Sequence, residues 1–182
     1  VHPLITFFIG KSQMALESLA VLPVVSSFVF LFRGVGLSFQ EAAITMLGSN
    51  KENDKAIYKF AAVLGLTLAS ALIITAITPL SKLWFSKVSG LSAELTGLAL
   101  TPLLIMGLFP ASTVLISMQR AILVKDGQTS PITNATIIEV LTIISVLYIS
   151  IIHLSAVGVV AAASAFLSGR LAANTYLYFK TR

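Results

Sequence analysis

The sequence predicts an all-α membrane protein, a polytopic bundle of transmembrane helices in which residues 1–182 form a single lobe. Two observations support this fold class. The chain is 57% apolar and only 10% charged, with a mean hydropathy of +0.96, whereas soluble domains are about 25% charged. It also offers five apolar stretches near the roughly 20 residues that a helix needs to cross a bilayer, and a shorter one at its start.

The lengths of these stretches predict a six-helix lobe whose first helix is incomplete. Residues 1–10 are too short to cross a bilayer and lack the basic flank and cleavage site of a signal peptide. We therefore interpret them as the end of a longer helix. The expected helices cover residues 1–10, 13–48, 54–78, 92–125, 131–153 and 155–180.

Glycine, proline and capping residues predict where the first long helices bend and end. The helix over 13–48 is too long to cross a bilayer upright, and Gly34 and Gly36 offer a bend. Asn53 or Asp54 can cap the next helix, which we expect Pro79 to stop.

Residues 79–91 have the composition of a segment that lies at the membrane interface, because aromatic and basic side chains alternate there. Those side chains belong to Lys82, Trp84, Phe85 and Lys87.

Two prolines lie inside the helix expected over 92–125. Pro102 and Pro110 should each remove a backbone hydrogen bond, so two local distortions are expected. Gly127 is suited to ending this helix, and Ser130 followed by Pro131 to starting the next.

Basic residues are distributed unequally between the two ends of the bundle. One end carries Lys11, Lys82 and Lys87. The other carries Lys51, Lys55, Lys59, Arg120, Lys125, Lys180 and Arg182. Since basic residues are retained in the cytoplasm, the second end should be cytoplasmic, and Arg120 and Lys125 are interpreted as topology determinants. We expect a multi-pass protein of the cell membrane.

Single charges interrupt the apolar helices, and such residues are usually functional in a membrane. Helical rise places Glu41 about 10 Å, Glu139 about 12 Å and Arg170 about 15 Å from the cytoplasmic ends of their helices. At this shared depth, Arg170 is expected to pair with Glu139 or with Glu41. Arg33 should lie deeper, near the middle of the membrane.

Three predicted helices carry polar faces that could line a pathway. Ser27, Gly34, Ser38, Glu41 and Thr45 share one sector of the second helix. The candidate ion or substrate pathway residues are Arg33, Gln40, Glu41, Glu139, Arg170 and Asn174. The alternative is that a buried Glu and Arg only join helices together. Gly158, Ala162, Ala165 and Gly169 form a separate small-residue face of the last helix, which we assign to packing.

The sequence gives no support for an enzyme. It contains no Cys, no phosphate-binding glycine loop, no His-Glu-x-x-His and no Ser, His and acid set at one depth. No metal site or cofactor is expected, although transport could be coupled to H⁺ or Na⁺. The net charge of +5 comes from helix ends, so nucleic acid is not an expected partner.

Short motifs along the chain resemble one six-helix lobe of the multidrug and toxic compound extrusion (MATE) family, within the superfamily that also holds polysaccharide and lipid-oligosaccharide flippases. The motifs occur at helix starts, at a mid-helix glycine break and in linkers. They are residues 8–11, 15–20, 34–38, 48, 119–121, 127–131 and 158–162.

The resemblance implies that this chain is one of two six-helix bundles facing a central cavity, and that it is the second of them. Family members coupled to sodium or protons use acidic residues of the first and fourth helices of a lobe. Here the fourth helix has no acid at mid-depth, so Glu41, Glu139 and Arg33 would have to substitute, an inference from their depth.

We therefore expect a secondary transporter that exports small organic molecules by alternating access. Its partners would be the lipid bilayer, the other six-helix lobe and the substrate. A flippase for a lipid-linked or anionic substrate is the first alternative, since guanidinium groups such as those of Arg33 and Arg170 pair well with phosphate or carboxylate. The second alternative is a membrane assembly subunit that transports nothing.

Overall fold

The computed structural model describes residues 2–47 and 51–181, apart from the side chains of residues 2 and 51–53. It contains no strand over those residues, which confirms the all-α class. The helices are α1 His2–Ile9, α2 Ala15–Met46, α3 Lys51–Ile77, α4 Pro79–Leu83, α5 Ala93–Ile105, α6 Phe109–Lys125, α7 Ser130–Tyr148 and α8 Gly158–Lys180.

Within the described residues, four helical segments are long and apolar enough to cross a membrane, and they indicate a membrane-embedded protein. They are Ala15–Met46, Asp54–Ile77, Ala93–Lys125 and Ser130–His153. The sequence suggested a fifth, which is α8. The hydropathy of α8 is too low for a membrane span by this measure, because Arg170, Asn174 and many small residues make the helix less apolar. It packs against α6 and α7 inside the bundle, so it needs little apolar surface for lipid.

The long helix α2 is continuous through Gly34 and Gly36, so the bend expected there does not interrupt it. Gly36 instead allows α2 to approach α6 closely, since a Cβ atom there would lie 3.3 Å from the backbone nitrogen of Val114. Sequence reasoning overlooked Pro23, which lies inside α2. Its carbonyl oxygen accepts a hydrogen bond from the Ser27 hydroxyl at 2.8 Å.

The helix α3 begins at Lys51, earlier than the expected start at 54, so Asp54 lies in its first turn and does not cap it. The side chain of Asn53, the other proposed cap, lies outside the described residues. The helix ends at Ile77, and Pro79 then begins α4.

The segment after α3 packs its aromatic side chains against the core of the bundle. A single π-helical turn, Trp84–Val88, follows α4. It turns Phe85 fully into the core, 5.7 Å from the ring of Phe28, and leaves Lys87 exposed. Phe85 thus completes the apolar core, while the position of this segment at the membrane interface stays a prediction.

The helix expected over 92–125 is divided into α5 and α6 by a turn of 3₁₀-helix, Met106–Leu108. The Ser92 hydroxyl oxygen caps α5 by accepting a hydrogen bond from the backbone N–H of Leu95 at 3.3 Å. Pro102 lies in the last turns of α5 and Pro110 in the first turn of α6. The two prolines flank one break, where two distortions were expected.

The connection from α7 to α8 is longer than expected, because α8 begins at Gly158 where position 155 was predicted. A π-helical turn, Ile149–His153, ends the α7 segment. The backbone N–H of Gly158 donates to the carbonyl of Gln13 at 3.3 Å, which joins the starts of α8 and α2.

The helices α6 and α8 form the centre of the bundle. α6 packs against α2, α3 and α8, while α8 also packs against α7. The two ends of the bundle carry different sets of lysines. We call one the basic end, which carries Lys55, Lys59, Lys125 and Lys180, and the other the opposite end, which carries Lys11, Lys82 and Lys87.

Candidate functional site

Glu139 and Arg170 form an ion pair between α7 and α8. The guanidinium Nη2 of Arg170 lies 2.9 Å from Oε1 of Glu139, with side-chain exposures of 11% and 13%. Of the two partners proposed for Arg170, the structure selects Glu139. Gly169 makes this possible, since a Cβ there would meet Ile143 and come within 2.9 Å of the Glu139 carbonyl oxygen. The small-residue face thus brings α8 close enough to α7 for the pair.

Arg33 of α2 reaches the same region from the other side of α6. Its guanidinium carbon lies 4.4 Å from the centre of the Phe109 ring, and its Nε donates to the Thr113 hydroxyl at 3.3 Å. The guanidinium carbon of Arg170 lies 5.3 Å from the same ring centre. Phe109 is fully buried, and its π face attracts cations. Two arginines therefore meet at one aromatic ring.

We call Arg33, Phe109, Thr113, Glu139 and Arg170 the arginine cluster. It combines two guanidinium groups with one carboxylate, so its charges do not cancel. The ring and the hydroxyl stabilise Arg33 only partly, because neither carries a negative charge.

Arg120 adds to this excess of positive charge. It lies within electrostatic range of Arg170, and its Nε is buried with no hydrogen-bond partner among the described residues. Its interpretation as a topology determinant missed this position. The signal was present, because Phe109, Thr113 and Arg120 follow each other at spacings of four and seven and so share one face of a helix.

A network of buried amides lies beside the cluster. Asn174, one turn after Arg170, donates from Nδ2 to the Ser112 carbonyl at 3.0 Å. Gln119 donates from Nε2 to the backbone carbonyl oxygen of Asn174 at 3.0 Å. The amide oxygens of Asn174 and Gln119 are buried without a partner among the described residues. Gln119 entered the sequence analysis only as part of the motif 119–121 and not as a site residue, because a lone Gln in an apolar helix carries no periodic signal.

The polar sector predicted for α2 does not join the cluster. Glu41 is exposed on the bundle surface and forms no ion pair with a described residue. The hydroxyls of Ser38 and Thr45 donate to carbonyls of their own helix. Gln40 is half-buried and makes no side-chain hydrogen bond with another described residue.

The structure thus brings Arg33, Glu139, Arg170 and Asn174 together and leaves Gln40 and Glu41 apart from them. Four helices contribute, since α2 holds Arg33, α6 holds Phe109 and Thr113, and α7 and α8 hold the ion pair. The depth argument placed Glu41 in one layer with Glu139 and Arg170 and put Arg33 deeper, whereas in the structure Arg33 meets Arg170 at the Phe109 ring and Glu41 lies apart.

The chemistry available to the cluster is recognition of an anion. Guanidinium groups present fixed N–H donors that match carboxylate and phosphate oxygens. Over the described ranges, no three His, Asp or Glu side chains come together in a way that would hold a metal ion.

Comparison with known proteins leaves the family open. No protein-family model matches the chain. No curated protein matches it, and no solved structure does.

Proposed function

We propose that this chain is a lobe of a MATE-like secondary active transporter, and that its arginine cluster binds an anionic group of the transported molecule. One observation carries the proposal: two guanidinium groups meet at the Phe109 ring, and the one carboxylate of the cluster pairs with Arg170 and not with Arg33. This excess charge favours an anionic substrate over the organic cations typical of multidrug exporters.

The cost of burying charge supports a functional role for Arg33. A charged side chain in a membrane costs about 2.5–3.5 kcal/mol on insertion scales. A purely structural link needs a balanced pair such as Glu139 with Arg170, which can offset much of its own desolvation. Arg33 is not part of this pair, so an anion that binds from outside the chain would neutralise its charge.

Alternating access would place the cluster at the interface with a second bundle. The lipid bilayer and that second six-helix lobe are accordingly proposed as partners. Glu41 is proposed as the group that couples transport to H⁺ or Na⁺, because it is an exposed carboxylate on an apolar helix. The proposal includes no enzymatic step and no bound cofactor.

A lipid-linked substrate is a second candidate. The guanidinium groups of Arg33 and Arg170, which meet at the Phe109 ring, also match the oxygens of a phosphate headgroup.

Efflux from proteoliposomes tests the proposal. The full-length protein would be reconstituted with trapped carboxyfluorescein, an anion, or ethidium, a cation, under an imposed H⁺ or Na⁺ gradient. We expect the protein to accelerate the efflux of carboxyfluorescein but not that of ethidium. Arg33→Gln should lower the rate of carboxyfluorescein efflux at least tenfold. Lys87→Gln, at an exposed residue of the opposite end, is the matched control.

Faster efflux of ethidium would show that the anionic specificity is wrong and that a cation exporter is correct. If neither dye moves faster than in empty liposomes under either gradient, the protein behaves as a non-transporting assembly subunit and the proposal fails.

A further inference from the structure

An apolar groove runs along the outside of the bundle between α3 and α6, and no residue of the arginine cluster lines it. Its volume is about 600 Å³, within the range of about 300–1,000 Å³ that is usual for ligand sites. Its walls include Tyr58, Ala62, Leu66, Leu115 and Ile122. Because Leu66 and Leu115 are 68% and 49% exposed, the groove opens towards the surface.

Small residues create the groove. Gly65 of α3 faces Ala111 of α6, since a Cβ at Gly65 would lie 3.5 Å from the Cα of Ala111. Ala62 also lines the groove and leaves its side open where a larger side chain would fill it. The stretch from Tyr58 to Leu66 covers about 12 Å of α3 at 1.5 Å per residue. The groove therefore follows the axis of α3 over this distance.

Both walls end in lysines at the same end of the bundle. On α3, Lys55 and Lys59 precede Ala62 and Leu66 at helical spacings of three and four, so they continue one helical stripe. On α6, Lys125 follows Ile122 by one turn. All three lysines are exposed.

The charge at this end is mixed but positive on balance. Asp54 and Asp126 lie near Tyr58, close enough to act on its hydroxyl electrostatically. Lys180, at the end of α8, adds a fourth lysine. Basic residues that border a groove between membrane helices attract anionic lipid headgroups.

We propose that this groove binds an anionic phospholipid of the leaflet at the basic end. One acyl chain lies along Ala62, Leu66 and Leu115, and the phosphate meets Lys55, Lys59 and Lys125. Tyr58 and Tyr178, both about half exposed at the basic side of the groove, lie at the depth where tyrosines favour the headgroup region. This site does not depend on the proposed transport function.

Native mass spectrometry of the detergent-purified full-length protein tests this site. Dioleoyl phosphatidylglycerol and dioleoyl phosphatidylcholine would be added at equal concentrations, so that only the headgroup differs. We expect at least tenfold preference for phosphatidylglycerol, falling about fivefold for each of Lys55→Gln and Lys59→Gln. Lys87→Gln, at the opposite end, should leave the preference unchanged.

A second pair of variants tests the groove itself. Ala62→Phe fills it and should reduce bound phosphatidylglycerol at least tenfold. Thr67→Phe, at an exposed residue of the same helix that lies off this stripe and does not line the groove, is the matched control. Circular dichroism checks that both variants fold. Since the lysine variants change only exposed side chains, they test the headgroup contact even if Ala62→Phe fails to fold.

Two outcomes would overturn the proposal. Equal retention of the two lipids would mean that the headgroup is not recognised. A dimer in the wild type that Ala62→Phe converts to a monomer, without a change in bound lipid, would mean that a second copy of the chain occupies the groove.

Discussion

The two ends of the bundle use aromatic rings in opposite ways. At the opposite end, the ring of Phe28 packs against the rings of Trp84 and Phe85 at centroid distances of 5.3 and 5.7 Å. Towards the basic end, the ring of Phe109 contacts two guanidinium groups. The first region gains stability from apolar packing, while the second holds charges whose burial opposes folding. The comparison indicates that the opposite end anchors the fold, while the polar half holds the residues of the proposed function.

The largest effect is expected from breaking the apolar region. Phe85→Ala should lower the free energy of unfolding by about 3–5 kcal/mol, because a fully buried ring would leave a cavity. Reversible unfolding in SDS–detergent mixtures, followed by circular dichroism, measures this loss. Leu83→Ala is the control, since Leu83 is 53% exposed. Equal effects of the two substitutions would contradict the assignment of Phe85 to the anchoring core.

Breaking the ion pair should come next. Glu139→Ala or Arg170→Ala alone should cost about 3 kcal/mol, since each strands a buried charge. The double variant should lose less than the sum of the two, which the same unfolding assay would show as a coupling energy. Glu94→Ala, at an exposed residue of α5, is the control. Strict additivity would mean that the two side chains do not interact.

Disrupting the close contact between α7 and α8 should lower stability by a smaller amount. Gly169→Ala should destabilise the bundle by about 1–3 kcal/mol, because the added methyl group would lie 2.7 Å from Ile143 and push the helices apart. Gly97→Ala is the control, since a Cβ there meets nothing within 4 Å. That control should be neutral or slightly stabilising, as alanine favours helices over glycine. The same response at both glycines would contradict the tight α7–α8 contact.

The orientation of the two ends can be tested with little effect on stability. The chain has no Cys, so single cysteines can be introduced at the exposed residues Gln128 and Lys87. With the basic end in the cytoplasm, an impermeant maleimide added to intact cells should label Lys87→Cys and spare Gln128→Cys. The reverse labelling pattern would invert the proposed topology.

Local patterns were sufficient to predict most of the helices. Apolar length predicted the all-α fold, and Gly127, Ser130 and Pro131 marked the join of α6 and α7 closely. The burial of Phe85 within residues 79–91 was not predictable in this way, because the local sequence is the same whether the ring lies at an interface or in a core. Only tertiary packing against Phe28 decides between them.

Depth along a helix predicted that Glu139 and Arg170 share a layer, but not that Arg33 reaches the same ring as Arg170, nor which way each charge faces. It favoured Glu139 and Glu41 equally as partners for Arg170, and the direction of each side chain decided for Glu139. The contribution of Phe109 was also hidden, since an aromatic residue in an apolar helix is usually part of the core. Arg120 was assigned to topology because its charge lies near a helix end, although it also lies within electrostatic range of Arg170.

The central claim is that the ion pair belongs to a binding site and does not only join helices. Exchanging the two charges, as Glu139→Arg with Arg170→Glu, tests it most directly by unfolding and carboxyfluorescein efflux on the same protein. The account predicts stability near that of the wild type, because the pair is kept, together with at least a tenfold loss of efflux, because the charge beside Phe109 changes sign. Wild-type efflux from the exchanged protein would contradict it and leave the pair as a purely structural link between α7 and α8.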